Sequence, residues 1–343
     1  MLDDLKYIHQ RDGQDALGVA QKQWQQLGHD FQLQEIGGSF SNIVYGGMGG
    51  SALAGYFSKS WTGHSLPFEV VRQYHIPKYV GPKTLYIASS YSGDTEEALS
   101  ALAEAEAAGA KIVISASGGK MGSIAGAKSY PLAAIPANMQ PRHAVLYQLK
   151  ALIDILIAIK IVDKERCLSE LNKAADFLKE AAQAWLPTIP EDKNPAKKLA
   201  MEIAGKAPAI YSGPLLSPAA YKWKINFNEN SKNLAWSNEF SEFNHNEITG
   251  WSGHPIDKPY EVINLLSSYE HPRIRKRFEL TSRLLSGRWP LAHDIEAQGS
   301  NILEHLLWTV MFGDFVSIYL ALLNNVNPTP VELQEKFKLE LNR

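Results

Sequence analysis

The sequence predicts an α/β protein built from two doubly wound domains. Three observations carry that prediction. The chain has 343 residues, enough for two domains of about 150 residues each. Short apolar runs alternate with helical stretches, which is the pattern of a parallel sheet. Several of those runs break into Gly-, Ser- or Thr-rich turns just before a helix, where such a sheet binds its ligands.

Residues 2–27 read as a polar, amphipathic helical lead-in, with apolar positions at Leu5, Ile8, Leu17, Val19, Ala20 and Trp24. Ile43-Val44-Tyr45 then reads as a strand running into Gly46-Gly47-Met48-Gly49-Gly50-Ser51 and an Ala/Leu-rich helix. The run from Gly47 fits the degenerate dinucleotide pattern G-x-G-x-x-A. That fingerprint wants its acid at the end of the next strand, but Phe68-Glu69-Val70-Val71-Arg72 puts Glu69 near the start. No G-x-x-x-x-G-K-[ST] is present either, so a dinucleotide enzyme is a weaker alternative.

The next strand, residues 84–88, is the most informative. It opens into Ser89-Ser90-Tyr91-Ser92-Gly93-Asp94-Thr95-Glu96-Glu97, and residues 94–108 read as a helix of Glu, Ala and Leu. A helix N-terminus offers N–H groups and partial positive charge, and Ser90, Ser92 and Thr95 add hydroxyl donors. Alone, Ser92, Asp94 and Thr95 would also serve as helix caps. With the preceding glycine turn, the predicted phosphate-binding set is Gly49, Gly50, Ser51, Ser90, Ser92 and Thr95. No Lys or Arg lies in this loop, so neutral donors would hold a phosphate monoester.

Residues 111–115 form a fourth strand that leads into Ala116-Ser117-Gly118-Gly119, and residues 129–134 a fifth, ahead of Pro141-Arg142. Residues 143–161 read as a long apolar helix and 163–185 as a more polar one. Pro187-Thr188-Ile189-Pro190 marks a boundary. The expected organisation is a first domain over 1–142, a helical linker over 143–190 and a second domain over 191–343. In the second half, residues 207–211, 261–266 and 288–293 read as strands, and 217–228, 302–323 and 331–341 as helices.

Composition narrows the function. A net charge of −2 with scattered Lys and Arg gives no basic stripe, so no nucleic-acid partner is expected. The single cysteine, Cys167, excludes an intrachain disulfide framework and thiolate-rich metal sites. The histidines are dispersed, and no metal is expected. The start Met1-Leu2-Asp3-Asp4 is acidic, and the apolar run near 151–161 is broken by Asp154 and Lys160. A cytoplasmic protein with no membrane partner is the expectation.

Four blocks in order carry a family resemblance. They are Gly46-Gly47-Met48-Gly49-Gly50-Ser51; Ser90 to Glu97; Pro141-Arg142; and Asn228-Glu229-Asn230-Ser231-Lys232 with Asn244-His245-Asn246-Glu247. Asn327-Pro328-Thr329-Pro330-Val331 is similar too. Through them the chain resembles the bifunctional phosphoglucose/phosphomannose isomerases, which consist of two sugar-isomerase (SIS) domains. It departs at Asp94, where the family more often has Asn, and at Ser241-Glu242-Phe243, where the family usually has Pro-Glu before the Asn-His-Asn-Glu block. An inward-pointing Asp94 would repel a phosphate.

The resemblance implies two doubly wound SIS domains, each with a parallel five-stranded sheet flanked by helices. It implies cofactor-free interconversion of fructose 6-phosphate with glucose 6-phosphate and mannose 6-phosphate through a cis-enediol(ate). It makes Glu229 the proton-shuttling base and Arg142 the cation near the enediolate. His245 opens the sugar ring, supplied across the interface of a homodimer. A C-terminal lysine is the remaining ring-opening group; Lys338 fits best by its spacing from Pro330-Val331, with Lys336 as the fallback. A non-catalytic sugar-phosphate-binding SIS protein is the alternative. A glucosamine-phosphate synthase would need a nucleophilic N-terminal cysteine, whereas position 2 is Leu.

Overall fold

The structure, a computed structural model, describes residues 1–33, 35–253 and 259–341. Two short helices come first, α1 (Leu5–Arg11) and α2 (Ala16–Lys22). The Asp4 side chain caps α1 by accepting the amides of Lys6 and Tyr7.

Strands and helices then alternate: β1 (Asn42–Gly46), α3 (Gly50–Trp61), β2 (Phe68–Val71), β3 (Thr84–Ser90), α4 (Glu96–Ala107), β4 (Lys111–Ala116), α5 (Gly119–Lys128) and β5 (Leu132–Ala134). Helices α6 (Val145–Ala158) and α7 (Lys164–Ala181) follow. The strands pair in parallel, in the order β2-β1-β3-β4-β5. Every position of β3 is buried, as expected where helices cover both faces of a parallel sheet. Val44, Tyr86, Ala88, Leu102, Ile112, Ile114 and Met121 belong to one core cluster of this unit. β5 starts at Leu132, later than the expected 129. Ser129 ends α5 in the left-handed region, φ 55°, and the Tyr130 amide turns back to the Ala125 carbonyl at 2.9 Å.

The second sheet is built from β6 (Ala207–Ser212), β7 (Trp236–Glu239), β8 (Tyr260–Leu266) and β9 (His293–Glu296). Around it lie α8 (Pro195–Glu202), α9 (Ser217–Glu229), α10 (Glu247–Gly253), α11 (Pro272–Leu284), α12 (Ile302–Leu323) and α13 (Glu332–Leu341). The strands are parallel in the order β7-β6-β8-β9, four among the described residues rather than the expected five. The last strand falls at His293–Glu296 and not at 288–293. Trp289 completes a turn on the Leu285 carbonyl and packs against Phe243 and Trp251, and Pro290 has no N–H for a ladder. Helix α12 is long and apolar enough to cross a membrane, but almost all of it is buried among α8, α9 and its own neighbours. Its composition is that of a core helix.

Two compact units emerge: Lys22–Phe177, and Met1–Gln21 with Leu178–Arg343. They cut the chain elsewhere than the expected ranges. In the first unit α6 packs on α3, so half of the expected linker 143–190 belongs to the first sheet. In the other, the N-terminal lead-in is held by its own bonds. The Leu2 amide donates to Glu191 Oε1 at 2.8 Å, and Tyr7 Oη donates to the Leu322 carbonyl at 2.7 Å. Lys197 Nζ, on α8, reaches Asp3 at 2.9 Å.

Candidate active site

In the first unit the strand order reverses between β1 and β3, and the loops at their carboxyl ends meet there. The β1 loop turns through Gly49 at φ +51° into α3. A Cβ on Gly50 would sit 3.3 Å from the Pro141 carbonyl and 3.6 Å from Arg142 Cα. The absence of a side chain there lets Pro141-Arg142 approach the loop. Arg142 itself is 1% exposed, and its guanidinium donates to Gln140 Oε1 at 3.3 Å. A buried cation therefore lies beside the glycine loop, not on the surface.

Ser51 Oγ accepts the Tyr91 amide at 3.1 Å and the Gln148 side-chain amide at 2.7 Å. Those two bonds join the glycine loop, the hydroxyl loop and α6. Ser90 Oγ lies 2.8 Å from Thr95 Oγ1 and accepts the Gly93 amide at 3.1 Å. Thr95 is the N-cap residue of α4, yet its side chain makes no cap bond to that helix. Its hydroxyl belongs to the cup with Ser90, and Ser92 is exposed at the rim. Tyr91 Oη donates to the Pro136 carbonyl at 3.1 Å and accepts the Met139 amide at 3.0 Å, which ties residues 136–139 to the cup. Burial pushes the Tyr91 phenol above its ordinary range, and the Met139 amide works against that. The structure thus brings together Gly49, Gly50, Ser51, Ser90, Ser92, Thr95 and Arg142 in one unit.

Asp94 does not join them. Its Oδ1 accepts the Lys120 amide in the first turn of α5 at 2.9 Å. That carboxylate is spent on a helix N-terminus, which it suits by charge.

In the other unit, Glu229 ends α9 and lines a cavity of about 700 Å³ with Asn228, Lys232, Asn327, Pro330 and Val331. Lys232, at φ +51°, donates Nζ to the Glu229 carbonyl at 2.8 Å and to the Asn327 carbonyl at 2.8 Å. A cation on terminal carbonyls is a favourable C-cap, and it holds the Asn327-Pro328 segment against the end of α9. Lys338 and Lys336 both lie exposed on α13, outside the lining of this cavity.

The Asn-His-Asn-Glu block splits by role. Asn244 Nδ2 donates to Thr281 Oγ1 at 2.9 Å, and its Oδ1 accepts from Arg277 at 3.1 Å. The Glu247 carboxylate accepts the Tyr211 hydroxyl and, at 2.6 Å, the Asn238 side-chain amide. Trp251 Nε1 completes the set on Tyr211 Oη at 2.9 Å. Asn246 bonds Glu242 at 2.6 Å, and His245 is exposed. Asn244 and Glu247 anchor the block to the rest of the unit, and the imidazole faces outward.

Sequence reasoning missed Gln148 and Tyr211. A lone Gln in the apolar face of α6 was the only local sign of the first, and nothing local marked the second.

The first unit is a doubly wound α/β layer with glycines and hydroxyls gathered at its strand ends. The comparisons agree: the family described as bacterial phospho-glucose isomerase C-terminal SIS domain matches residues 192–341. A bifunctional phosphoglucose/phosphomannose isomerase of Caldicellulosiruptor bescii is 34% identical over 320 residues, covering 92% of this chain and 94% of that one. Its counterpart from Thermoplasma acidophilum is 36% identical, covering 89% and 91%. The chain belongs to the bifunctional phosphoglucose/phosphomannose isomerase family and is an isomerase. A glucose-6-phosphate isomerase-like protein from Thermus thermophilus shares the fold, with TM-score 0.66 at 21% identity and 98% of each chain covered.

Proposed function

We propose that this protein interconverts fructose 6-phosphate with glucose 6-phosphate and mannose 6-phosphate in the cytoplasm, through a cis-enediolate and without a cofactor. Aldose and ketose are isomers, so the reaction only moves protons within the substrate. The relatives' names support the pair of aldoses. Glucose and mannose phosphates differ only at C2 and give the same enediol, so one base serves both.

In this reading the phosphate sits in the cup of Gly49, Gly50, Ser51, Ser90, Ser92 and Thr95, held by hydroxyls and the dipole of α4. His245 and Lys338 open the ring; His245 is supplied by the second chain of a homodimer, for which its outward exposure is suited. Glu229 removes the C2 proton and returns it at C1. Arg142 stabilises the charge that develops on the enediolate oxygens.

The observation that carries the reading is Glu229 lining a cavity of about 700 Å³ at the end of α9. A carboxylate spent on solvation would not need that setting. The test is exchange of the C2 hydrogen of glucose 6-phosphate with deuterated water. Glu229→Gln should keep substrate binding and stop exchange, because an amide cannot accept the proton at neutral pH. Exchange at the wild-type rate would assign the base elsewhere.

A further inference from the structure

The second sheet has its own reversal of strand order, between β6 and β8, and hence its own crevice at their carboxyl ends. After β6 the chain runs Gly213-Pro214-Leu215-Leu216 into α9; after β8 it runs Ser267-Ser268-Tyr269-Glu270-His271 into α11. These loops occupy the places that the glycine turn and the hydroxyl loop hold in the first sheet. Asp94 and Glu270 each lie four residues past the last residue of their strands, Ser90 and Leu266.

The two carboxylates are used differently. Asp94 caps α5, whereas Glu270 folds back across its crevice. Glu270 Oε1 accepts the Leu215 amide at 2.8 Å, and the Leu216 amide also bonds its carboxylate. Leu216 is the N-cap residue of α9 and makes no side-chain cap. Gly213 leaves the necessary room: a Cβ there would fall inside contact distance of the Glu270 carboxylate, with Ile274 close behind. Burial raises the Glu270 carboxyl above its ordinary range, the two amides work against that, and the charge of Glu239 adds to the rise. Ser212, the last residue of β6, is fully buried, and its hydroxyl has no partner among the described residues. The crevice thus has backbone N–H donors and a helix N-terminus, the strand that leads into it ends on a buried hydroxyl with no partner among the described residues, and an anion of the chain's own is already in place.

We propose that this second crevice is an anion site sealed from within by Glu270, so that each chain holds a phosphate group in the first-sheet crevice alone. The inference rests on the first-sheet cup of the proposed function, and the seal on the second crevice is read separately from it. Its probe is inorganic phosphate, titrated calorimetrically into the full-length protein. Wild type should take one phosphate per chain and Glu270→Ala two. Glu270→Gln, which keeps an acceptor oxygen in the crevice, should still take one. No more phosphate in Glu270→Ala than in wild type overturns the seal, and none in wild type overturns the cup in the first sheet. Should Glu270→Ala fail to fold, Glu270→Ser carries the same expectation. Gly213→Ala gives an independent reading: pushing the carboxylate off its amides should lower Tm by roughly 5 °C. An unchanged Tm would mean that Glu270 does not fill the space.

Discussion

The Asp94 carboxylate accepts the Lys120 backbone N–H at 2.9 Å, so the acid in the loop between β3 and α4 serves the start of α5. A carboxylate bound there suits the positive end of a helix. Asp94→Asn keeps an acceptor oxygen for Lys120, and the KM for fructose 6-phosphate should stay within about twofold of wild type. A tenfold fall in KM on this substitution would mean that the charge faces the phosphate after all.

How much of this was legible in the sequence depends on whether the forces were local. β1, β3 and β4 are buried over nearly all of their length, so each carries an apolar run, residues 43–45, 85–88 and 112–114, with polar residues only outside it. β7, Trp236-Ser237-Asn238-Glu239, is a half-buried edge strand in which only Trp236 favours a strand, held by backbone pairing to β6. Nothing in its composition announces it. The cup was legible because glycines and hydroxyls at strand ends are a local signature. The bond from Gln148 to Ser51, 97 residues apart, and that from Tyr211 to Glu247, 36 apart, exist only once the chain is folded. Spacing ranked Lys338 above Lys336, but α13 buries no residue, so no packing fixes one lysine over the other.

Loss of a cup hydroxyl should be read in binding. Ser92 is exposed and Thr95 half-buried, so alanine at either position removes a donor without opening the core. A hydrogen bond to a charged group contributes about 1.5–3 kcal/mol, and KM for fructose 6-phosphate should rise roughly 10- to 150-fold. Wild-type KM in both variants, for every sugar phosphate, would put the phosphate elsewhere. Ser90 is a poorer probe, since it is fully buried and its change would unsettle the Gly93 turn first.

Acid should loosen the first unit through His64. Its ring stacks on Phe68 at 4.3 Å and lies 3.1 Å from Ser58 Oγ, near the end of the helix that begins with the glycine turn. Burial, with the charge of Lys59 adding to it, lowers its pKa to about 4. The unfolded chain therefore takes a proton near pH 6.5 that the folded chain refuses until about pH 4. The stability contribution is complete above the unfolded value and is lost as pH falls through this window. His64→Gln should flatten the fall of Tm between those two pH values. Parallel Tm–pH curves for variant and wild type would acquit this residue.

The last expectation concerns His245, which the fold presents outward while Asn244 and Glu247 hold its segment down. If it serves the site of a second chain, two inactive variants can complement each other. Glu229→Gln and His245→Ala should each be nearly dead alone. Unfolded together and refolded as a mixture, random pairing makes about half of the dimers hybrids. In each hybrid one site collects both lesions, and the other has an intact Glu229 and an intact His245. Activity should then recover to about a quarter of wild type. If His245 works within its own chain, every site in the mixture keeps one lesion and no activity returns. The wild type, carried through the same cycle, must regain its activity for the comparison to count. With that control satisfied, a dead mixture would return His245 to its own subunit.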